Sequence, residues 1–519
     1  MRIYVKRVAL FLIAAFCTTV VLLSIPKNGQ HREWIREGRF GRFPQPTVHV
    51  NRGEHFEPQP APPSVHLSGH PEPLFEDTGI SDREIDDSLV QRLESYMSEL
   101  DINSMIASEC VNNETLRAYW LRTRGADVPQ RDSWERFYAD IGSCDLYRKE
   151  ELLNDLLRDL NTLEVKNVAI MEGGTQVKLI ITFSNDEQAV FKPMRFGRDY
   201  ESDPNHFYFS DFERHHAEIA TFHLDKILQF RRAVPTVGRI FNMTAELRDK
   251  AEKRLKKTFF ISPAKNHCFV SKCDYYCDTT HAICGKPDMK EGSVQVFLPD
   301  ENNVPRKHNK SPYRRTYSKR NQVAAWQQDM EFCTTKVKTR AQYAHGRRLL
   351  DLIDLHIMDY LIGNQDRHHY ESFSVFGNAP SYAIHLDNGR AFGRTDIDDD
   401  DILLPLRQCC VVRPSTLRTL LNYYKGPVSL SEALERSMSS DPVAPILAKK
   451  HYPAMERRLH KIMAHVDKCI TEHPNGVRGV VMSEFHNNMV PDETALADEA
   501  TEEDEDDEKR AQANKEKQL

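Results

Sequence analysis

Apolar positions first fall in one unbroken run, Val8–Ile25 (VALFLIAAFCTTVVLLSI), and only later take up helical and strand periods. At ~1.5 Å per residue the run makes roughly 27 Å of helix, enough to cross a thin bilayer. Residues 26–80 show no period and carry Pro44, Pro46, Pro58, Pro60, Pro62, Pro63, Pro71 and Pro73, which reads as a semi-extended spacer. Helical spacing begins with Ile85, Leu89, Leu93 and Met97 behind the capping box Ser81-Asp82-Arg83-Glu84. Strands are predicted over Asn167–Met171, Val177–Phe183 and Gln188–Lys192. They are joined by Glu172-Gly173-Gly174-Thr175-Gln176 and by Ser184–Glu187. Phe212, Ile219, Phe222, Ile227 and Leu228 predict a helix over Asp211–Phe230. Leu349, Leu350, Ile353, Ile357 and Leu361 predict another over Gly346–Ile362, ended by Gly363. Tyr382–Leu386 reads as a strand. The α and β elements are intermixed over about 390 residues from Ser81 to Cys469, enough for a two-lobed core. After Pro491 the chain is charged and apolar-poor, with seven consecutive acids from Glu502 to Glu508, a solvated tail.

Charge and cysteine usage then set the compartment. Arg2, Lys6 and Arg7 precede the apolar run, which favours a cytoplasmic N-terminus and a lumenal remainder. The run is read as a type II signal anchor, with a cleaved signal peptide as the rival reading. Of 11 cysteines, Cys17 lies in the run, and the other ten are an even number. Cys268, Cys273, Cys277 and Cys284 have a zinc-like clustering, but an oxidising lumen favours disulfides. Asn113, Asn242 and Asn309 head N-glycosylation sequons. The net charge of -7 argues against a nucleic-acid partner, and a lumenal location argues more strongly.

Two acids carry the candidate chemistry. Asp366 follows the Gly346–Ile362 helix in LIGNQDRHHYE, and Asp387 closes the strand of IHLDNGR. Two such carboxylates can divide phosphoryl transfer, one orienting the attacking hydroxyl and one holding a metal that bridges the phosphates. Upstream, a glycine pair at a strand turn lets backbone N–H groups approach phosphates. Lys192 emerges from the apolar strand Ala189-Val190-Phe191 and needs an anionic partner. Glu213, placed in the first turn of the Asp211–Phe230 helix, could pair with Lys192 or reach a metal. The order of glycine turn, strand lysine and helix glutamate is that of a protein-kinase N-lobe. Glu291–Pro299 would then be the hinge segment.

GGTQ, FKPM, DFERHHAEIATFHLD, CDYYCDTTHAICGKPD, GNQDRHHYE and HLDNGR closely resemble the secretory-pathway kinases of the Golgi casein kinase group, relatives of the four-jointed and proteoglycan xylose kinases. The resemblance runs from about Asp145 to Cys469. It includes the group's departures from other kinases: no H-R-D before Asp366, and Asn388 where phenylalanine is usual. It implies an α+β, atypical two-lobed protein-kinase-like fold, disulfide-stabilised. The expected division is a cytoplasmic tail (1–7), anchor (8–25), stem (26–80), helical extension (81–164), N-lobe and hinge (165–300), C-lobe (301–475) and acidic tail (476–519).

The resemblance makes Asp366 the catalytic base, Asp387 and Glu213 ligands of Mn²⁺ or Mg²⁺, and Lys192 the phosphate-binding lysine. Gln176 and Glu371 would contact ATP, and Val296, Phe297, Leu298 and Pro299 would form the hinge. By analogy the disulfides are Cys268–Cys284, Cys273–Cys277, Cys333–Cys409, Cys410–Cys469 and, by elimination, Cys110–Cys144. CGKPDMKEGS and FLPDE look more like the branch that phosphorylates secreted proteins at Ser-x-Glu than like the xylose-kinase branch. The implied setting is the Golgi lumen, with secretion after processing admitted. The expected partners are acidic secreted substrates, the Golgi membrane through the anchor, and a second copy or a pseudokinase. The basic run from Arg306 to Arg320 could attract acidic substrates. A Mn²⁺-dependent Golgi glycosyltransferase is the rival of another class, since Asp396-Ile397-Asp398 matches D-x-D.

Overall fold

Strand-period and helix-period residues build two separate hydrophobic cores, one around a sheet and one around helices. The computed structural model describes residues 85–483, apart from 111–112, 126, 128, 174, 205–207, 316–322 and 377–380. The apolar run, the spacer, the Ser81 capping box and the acidic tail lie outside these residues. Among the described residues no helix is long and apolar enough to cross a membrane.

Five helices precede the sheet: α1 (Asp87–Ser98), α2 (Ile102–Ser108), α3 (Leu116–Arg124), α4 (Ser133–Asp140) and α5 (Glu150–Thr162). The first starts at Asp87 because the Asp86 carboxylate accepts the Leu89 N–H at 3.0 Å, a side-chain N-cap. Then come β1 (Val165–Ile170), β2 (Leu179–Phe183), β3 (Gln188–Pro193), α6 (His215–Ile227) and β4 (Thr236–Asn242). A small three-stranded sheet follows, β5 (Phe259–Ile261), β6 (His267–Phe269) and β7 (Ile283–Cys284), ahead of β8 (Met289–Val296). The five-stranded sheet has the order β1-β2-β3-β8-β4, antiparallel throughout. Its inward residues Leu179, Ile181, Phe183 and Phe191 meet Leu153, Leu156 and Leu160 of α5 in one core.

The second core gathers α7 (Arg348–Ile362), α8 (Leu404–Cys409), α9 (Pro414–Lys425), α10 (Leu430–Met438) and α11 (His451–Glu472). Helix α6 belongs to both cores: Phe222 faces the sheet, while Ala217, Ile219, Ala220 and Leu224 face the helices. A two-stranded ladder pairs β9 (Arg306–Lys310), which follows the hinge segment in sequence, with β10 (His369–Phe373), which follows α7.

Four expectations are corrected. Asp211–Phe230 is helical only over His215–Ile227, because side chains hold residues 211–214 extended: the Asp211 carboxylate takes the Ser202 hydroxyl (2.7 Å) and Arg214 (2.9 Å). Helix α7 starts at Arg348, since Gly346 is in the left-handed region (φ 71°). Tyr382–Leu386 is not a strand. Ile384 and His385 make single bridges to Glu371 and Ala233, on different neighbours, and Arg367 takes the Leu386 carbonyl. Asn309 is 5% exposed, and its amide bonds Lys307 O, Ser372 Oγ and Arg348, so in this fold it has no room for a glycan. Asn113 and Asn242 are half-buried.

The ten described cysteines form five disulfides, Cys110–Cys144, Cys268–Cys284, Cys273–Cys277, Cys333–Cys409 and Cys410–Cys469. No thiolate set remains for zinc at the Cys268 cluster. The two widest pairs close separations of 76 and 59 residues in the helical core, where loop-closure entropy removed from the unfolded chain is greatest.

Burial holds His223 down to about 3 and both His356 and His451 to about 4. In the unfolded chain these rings take a proton near pH ~6.5. Folding therefore gives up proton binding between about pH 6.5 and 4. Stability should be full above pH 6.5 and fall as pH drops through that window. The drop of about 2.5 units at His356 makes its share at most about 3 kcal/mol. Melting curves between pH 7.5 and 4.5 should show this decline, with a shallower slope in His356→Gln; an unchanged slope would count against it.

Candidate active site

A cavity of about 590 Å³ opens beside the sheet, lined by Met171, Val190, Val296 and Leu386 among its apolar residues and by Lys178, Lys192, Asp366 and Asp387 among its charged ones. That volume suits a nucleotide-sized ligand. Strand β3 is buried from Ala189 to Pro193, so Lys192 brings an ammonium group into a place where it must be paired. Its Nζ meets Glu218 Oε1 at 2.5 Å, Asp387 Oδ1 at 2.8 Å and Glu213 Oε2 at 3.2 Å. Lys178 stands 3.5 Å from Asp387. Burial alone would neutralise Lys192, but Asp387, Glu213 and Glu218 outweigh it and hold the group well above its ordinary range. In turn Lys178 and then Lys192 hold Asp387 well below the usual carboxylate range. Glu213 is raised by burial, yet Lys192 and Lys178 leave it lowered overall.

Glu213 stands before α6, one residue ahead of its N-cap Arg214, and not in the first turn. Gln176 fixes it there. The Gln176 amide donates to Asp211 O (2.7 Å) and accepts the Glu213 N–H (3.0 Å). Gln176 is buried beside Thr175, which lines the cavity, and both ends of its amide hold the segment that carries Glu213. The glutamate that α6 itself brings to Lys192 is Glu218, which also accepts the Asn388 N–H at 3.0 Å. Sequence reading passed over Glu218. Its signal was a charged residue in the middle of an otherwise buried helical stretch.

Asp387 adopts φ 55°, the left-handed region that aspartate tolerates better than most residues. Its side chain keeps 45% exposure toward the cavity. At Gly389 a Cβ would meet Glu213 Cβ at 3.0 Å, so any larger residue would push against the side chain of Glu213. The loop of Asp366 is fixed by α7. Gly363 (φ 68°) ends the helix, and the Asn364 amide bonds the Asp359 carboxylate at 3.1 Å. Arg367 pairs with both oxygens of buried Asp359 at 2.8 Å and reaches Asn388 at 2.6 Å and Leu386 O. One guanidinium thus ties the loop of Asp366 to the loop of Asp387. Arg390 bonds Asp366 Oδ2 and, at 3.0 Å, Thr175 Oγ1 of the glycine turn. Gly173 of that turn has φ 80°; Gly174 lies outside the described residues.

At the hinge, the Val296 N–H goes to Pro235 O, the Phe297 N–H to Gln188 O, and the Phe297 carbonyl to the Tyr138 hydroxyl. Leu298 lines the cavity and, among the described residues, its backbone groups have no partner, which leaves them for a base edge. Pro299 does not line the cavity, and its carbonyl accepts Arg306 at 2.7 Å. Glu371 lines it while paired with Arg306 at 2.8 Å.

The donor set fits a divalent cation. Asp387 and Glu213 are adjoining carboxylates that meet on Lys192, and Glu218 Oε2 is buried without a hydrogen-bond partner. The D-x-D of the glycosyltransferase reading does not fit one. Asp396 pairs with Arg394 at 2.5 Å. Asp398, 4% exposed, is surrounded by Arg457 (2.7 Å), Arg458 (2.8 Å) and Lys461 (3.1 Å), leaving no carboxylate charge for a metal.

Residues 132–476 match the family described as Golgi casein kinase, C-terminal, Fam20. The chain is similar to the extracellular serine/threonine protein kinase CeFam20 of Caenorhabditis elegans, 59% identical over 500 residues, covering 95% of this chain and 96% of that one. It is 40% identical over 373 residues to the glycosaminoglycan xylosylkinase of Homo sapiens, covering 70% and 88%. A crystal structure of the Golgi casein kinase with Mn/ADP bound superposes with a TM-score of 0.74 at 64% identity, covering 82% of this chain and 98% of that chain.

Titrating Mn²⁺ with ATP should raise the melting temperature, since a ligand at 100 times its Kd adds ~2.7 kcal/mol. Asp387→Asn should lose the metal-dependent part of that gain. Glu218→Gln should keep it and lose affinity for ATP. Equal metal-dependent gains in wild type and Asp387→Asn would remove Asp387 from the metal site.

Proposed function

The chain belongs to the Fam20 family of Golgi casein kinases, and from that premise we propose that it phosphorylates serine in Ser-x-Glu contexts of acidic secreted proteins, with Asp366 as the base. It is an ATP-dependent serine/threonine protein kinase of the secretory pathway, with ATP and Mn²⁺ as cofactors. The observation that carries the residue assignment is Lys192, shared among Asp387, Glu213 and Glu218 in a cavity that Asp366 also lines.

Each residue then has a role its surroundings support. Lys192 and Lys178 would hold the phosphates, and Leu298 would receive the adenine edge through its backbone. Asp387 and Glu213 would hold the divalent ion, whose charge offsets that of the transferring phosphoryl group. Asp366 would orient the serine hydroxyl and accept its proton, while Arg390 bonds its carboxylate and Asn364 Oδ1 accepts its backbone N–H. Positioning of this kind accounts for most of phosphoryl-transfer catalysis, because the protein does little covalent chemistry.

The substrate branch follows from similarity: 59% identity to an extracellular protein kinase against 40% to a xylosylkinase. We take residues 165–300 as the nucleotide lobe with its hinge, residues 301–475 as the substrate lobe, and residues 8–25 as a Golgi anchor with a lumenal body. A second copy of the chain or a pseudokinase of the same fold is the proposed protein partner.

A phosphotransfer assay tests this. Asp366→Ala and Asp387→Ala should each lower kcat by ~10³-fold or more on a casein-like Ser-x-Glu peptide, and equal activity in all three proteins would sink the mechanism. Mass spectrometry should find phosphate on the peptide and none on a xylosylated linker sugar offered in parallel; the reverse result assigns the chain to the xylose branch. ATP, not a UDP-sugar, should protect against melting.

A further inference from the structure

In the described part of the basic run, residues 306–315, Arg306 alone lines the nucleotide cavity. The first part of the run is β9, with Lys307, His308 and Lys310 exposed along the ladder to β10. The chain then docks on the catalytic loop: the Ser311 N–H donates to His368 O at 3.0 Å, two residues past Asp366. The next turn is held at both ends. Arg314 N–H donates to Ser311 O at 3.2 Å, and Arg314 O accepts the indole N–H of buried Trp326 at 2.9 Å.

The two arginines of this turn are used differently. Arg315 folds inward to Asp399 at 2.6 Å, with its guanidinium 5.8 Å from the Trp326 ring. Arg314 is exposed, and among the described residues no carboxylate pairs with it. Its charge is nonetheless felt in the active site. Burial first, then Arg367, Arg314 and Lys178 hold the His368 ring below its ordinary range against the pull of Asp387. A guanidinium with no carboxylate partner among the described residues, on a fixed backbone beside the loop of Asp366, differs from a solvated surface cation, whose backbone need not be held.

We propose that Arg314 reads the carboxylate of the acidic residue that accompanies the acceptor serine. This rests on the protein-kinase reading above and adds the residue that sets substrate choice. In an extended peptide each residue advances ~3.3 Å, so an acid two positions from the serine lies ~7 Å along the chain from the hydroxyl at Asp366. That is a span over which one arginine, rooted on the segment bonded to His368, selects a single position. Arginine's planar fork matches a carboxylate bidentately, whereas the exposed lysines of β9 supply only diffuse attraction.

The test uses the whole lumenal protein, ATP with Mn²⁺, and three peptides alike except for Glu, Gln or Arg two residues after the serine. In wild type kcat/KM should fall in that order. Arg314→Ala should lower kcat/KM for the Glu peptide ~10-fold or more, mainly through KM, while the Gln peptide changes less than ~2-fold. Arg314→Glu should bring the Arg peptide above the Glu peptide. Lys307→Ala, on the same run, should leave the Glu-to-Gln ratio unchanged, and the KM for ATP should be the same in all variants. A ratio unaltered in Arg314→Ala, or equal losses on both peptides, overturns the proposal while the kinase reading stands. A wild type that transfers phosphate to none of the peptides overturns the reading beneath it.

Discussion

One buried ammonium group sets the terms for the rest of this structure. Lys192 sits in a buried strand, 7% exposed, and three carboxylates from different stretches of chain come to it. Glu218 arrives from α6, Glu213 from the segment before that helix, and Asp387 from the loop after Leu386. Removing any one changes the field felt by the others, so the cluster is a positional constraint as much as a ligand set. The second layer of contacts follows from it. Gln176 holds Glu213, Asn388 closes on Glu218, and Arg367 joins the two acidic loops through buried Asp359. His385, two residues before Asp387, is held to Asp225 at 2.6 Å with both side chains fully buried, which pins the loop to the far end of α6.

The parts legible in the sequence were those with strong periodicity or unusual residue types. The sheet strands, α7 and its glycine stop, and Lys192 emerging from an apolar strand could all be read from local pattern. What was missed came from tertiary context. The start of α6 moved from Asp211 to His215 because Ser202, Arg214 and Gln176, none of them in the helical period, hold the preceding residues extended. Glu218 lay within a helix whose buried face spans nearly every position, so its charge carried no amphipathic signal. Asn309 fits a three-residue pattern that says nothing of burial, and only its ladder partner on β10 puts it inside.

The acid cluster Asp396–Asp401 shows how composition can mislead. Acids in a row suggest a metal site, yet here they are counter-charges for α11 and for Arg315. Arg458, buried, also bonds Leu361 O, Arg394 O and Ile397 O, so the cluster ties the segment after the Asp387 loop to the end of α7. Cations and anions of this lobe are largely spent on each other, which makes an unspent one informative.

Helix α6 is covered on every side, from His215 through Asp225. It touches the sheet core with Phe222 and the helical core with Ala217, Ile219 and Leu224. A helix with no open flank has nowhere to swing without uncovering apolar surface in both lobes at once. Its place against both cores therefore makes α6 a fixed reference for the loops of Glu213 and Asp387.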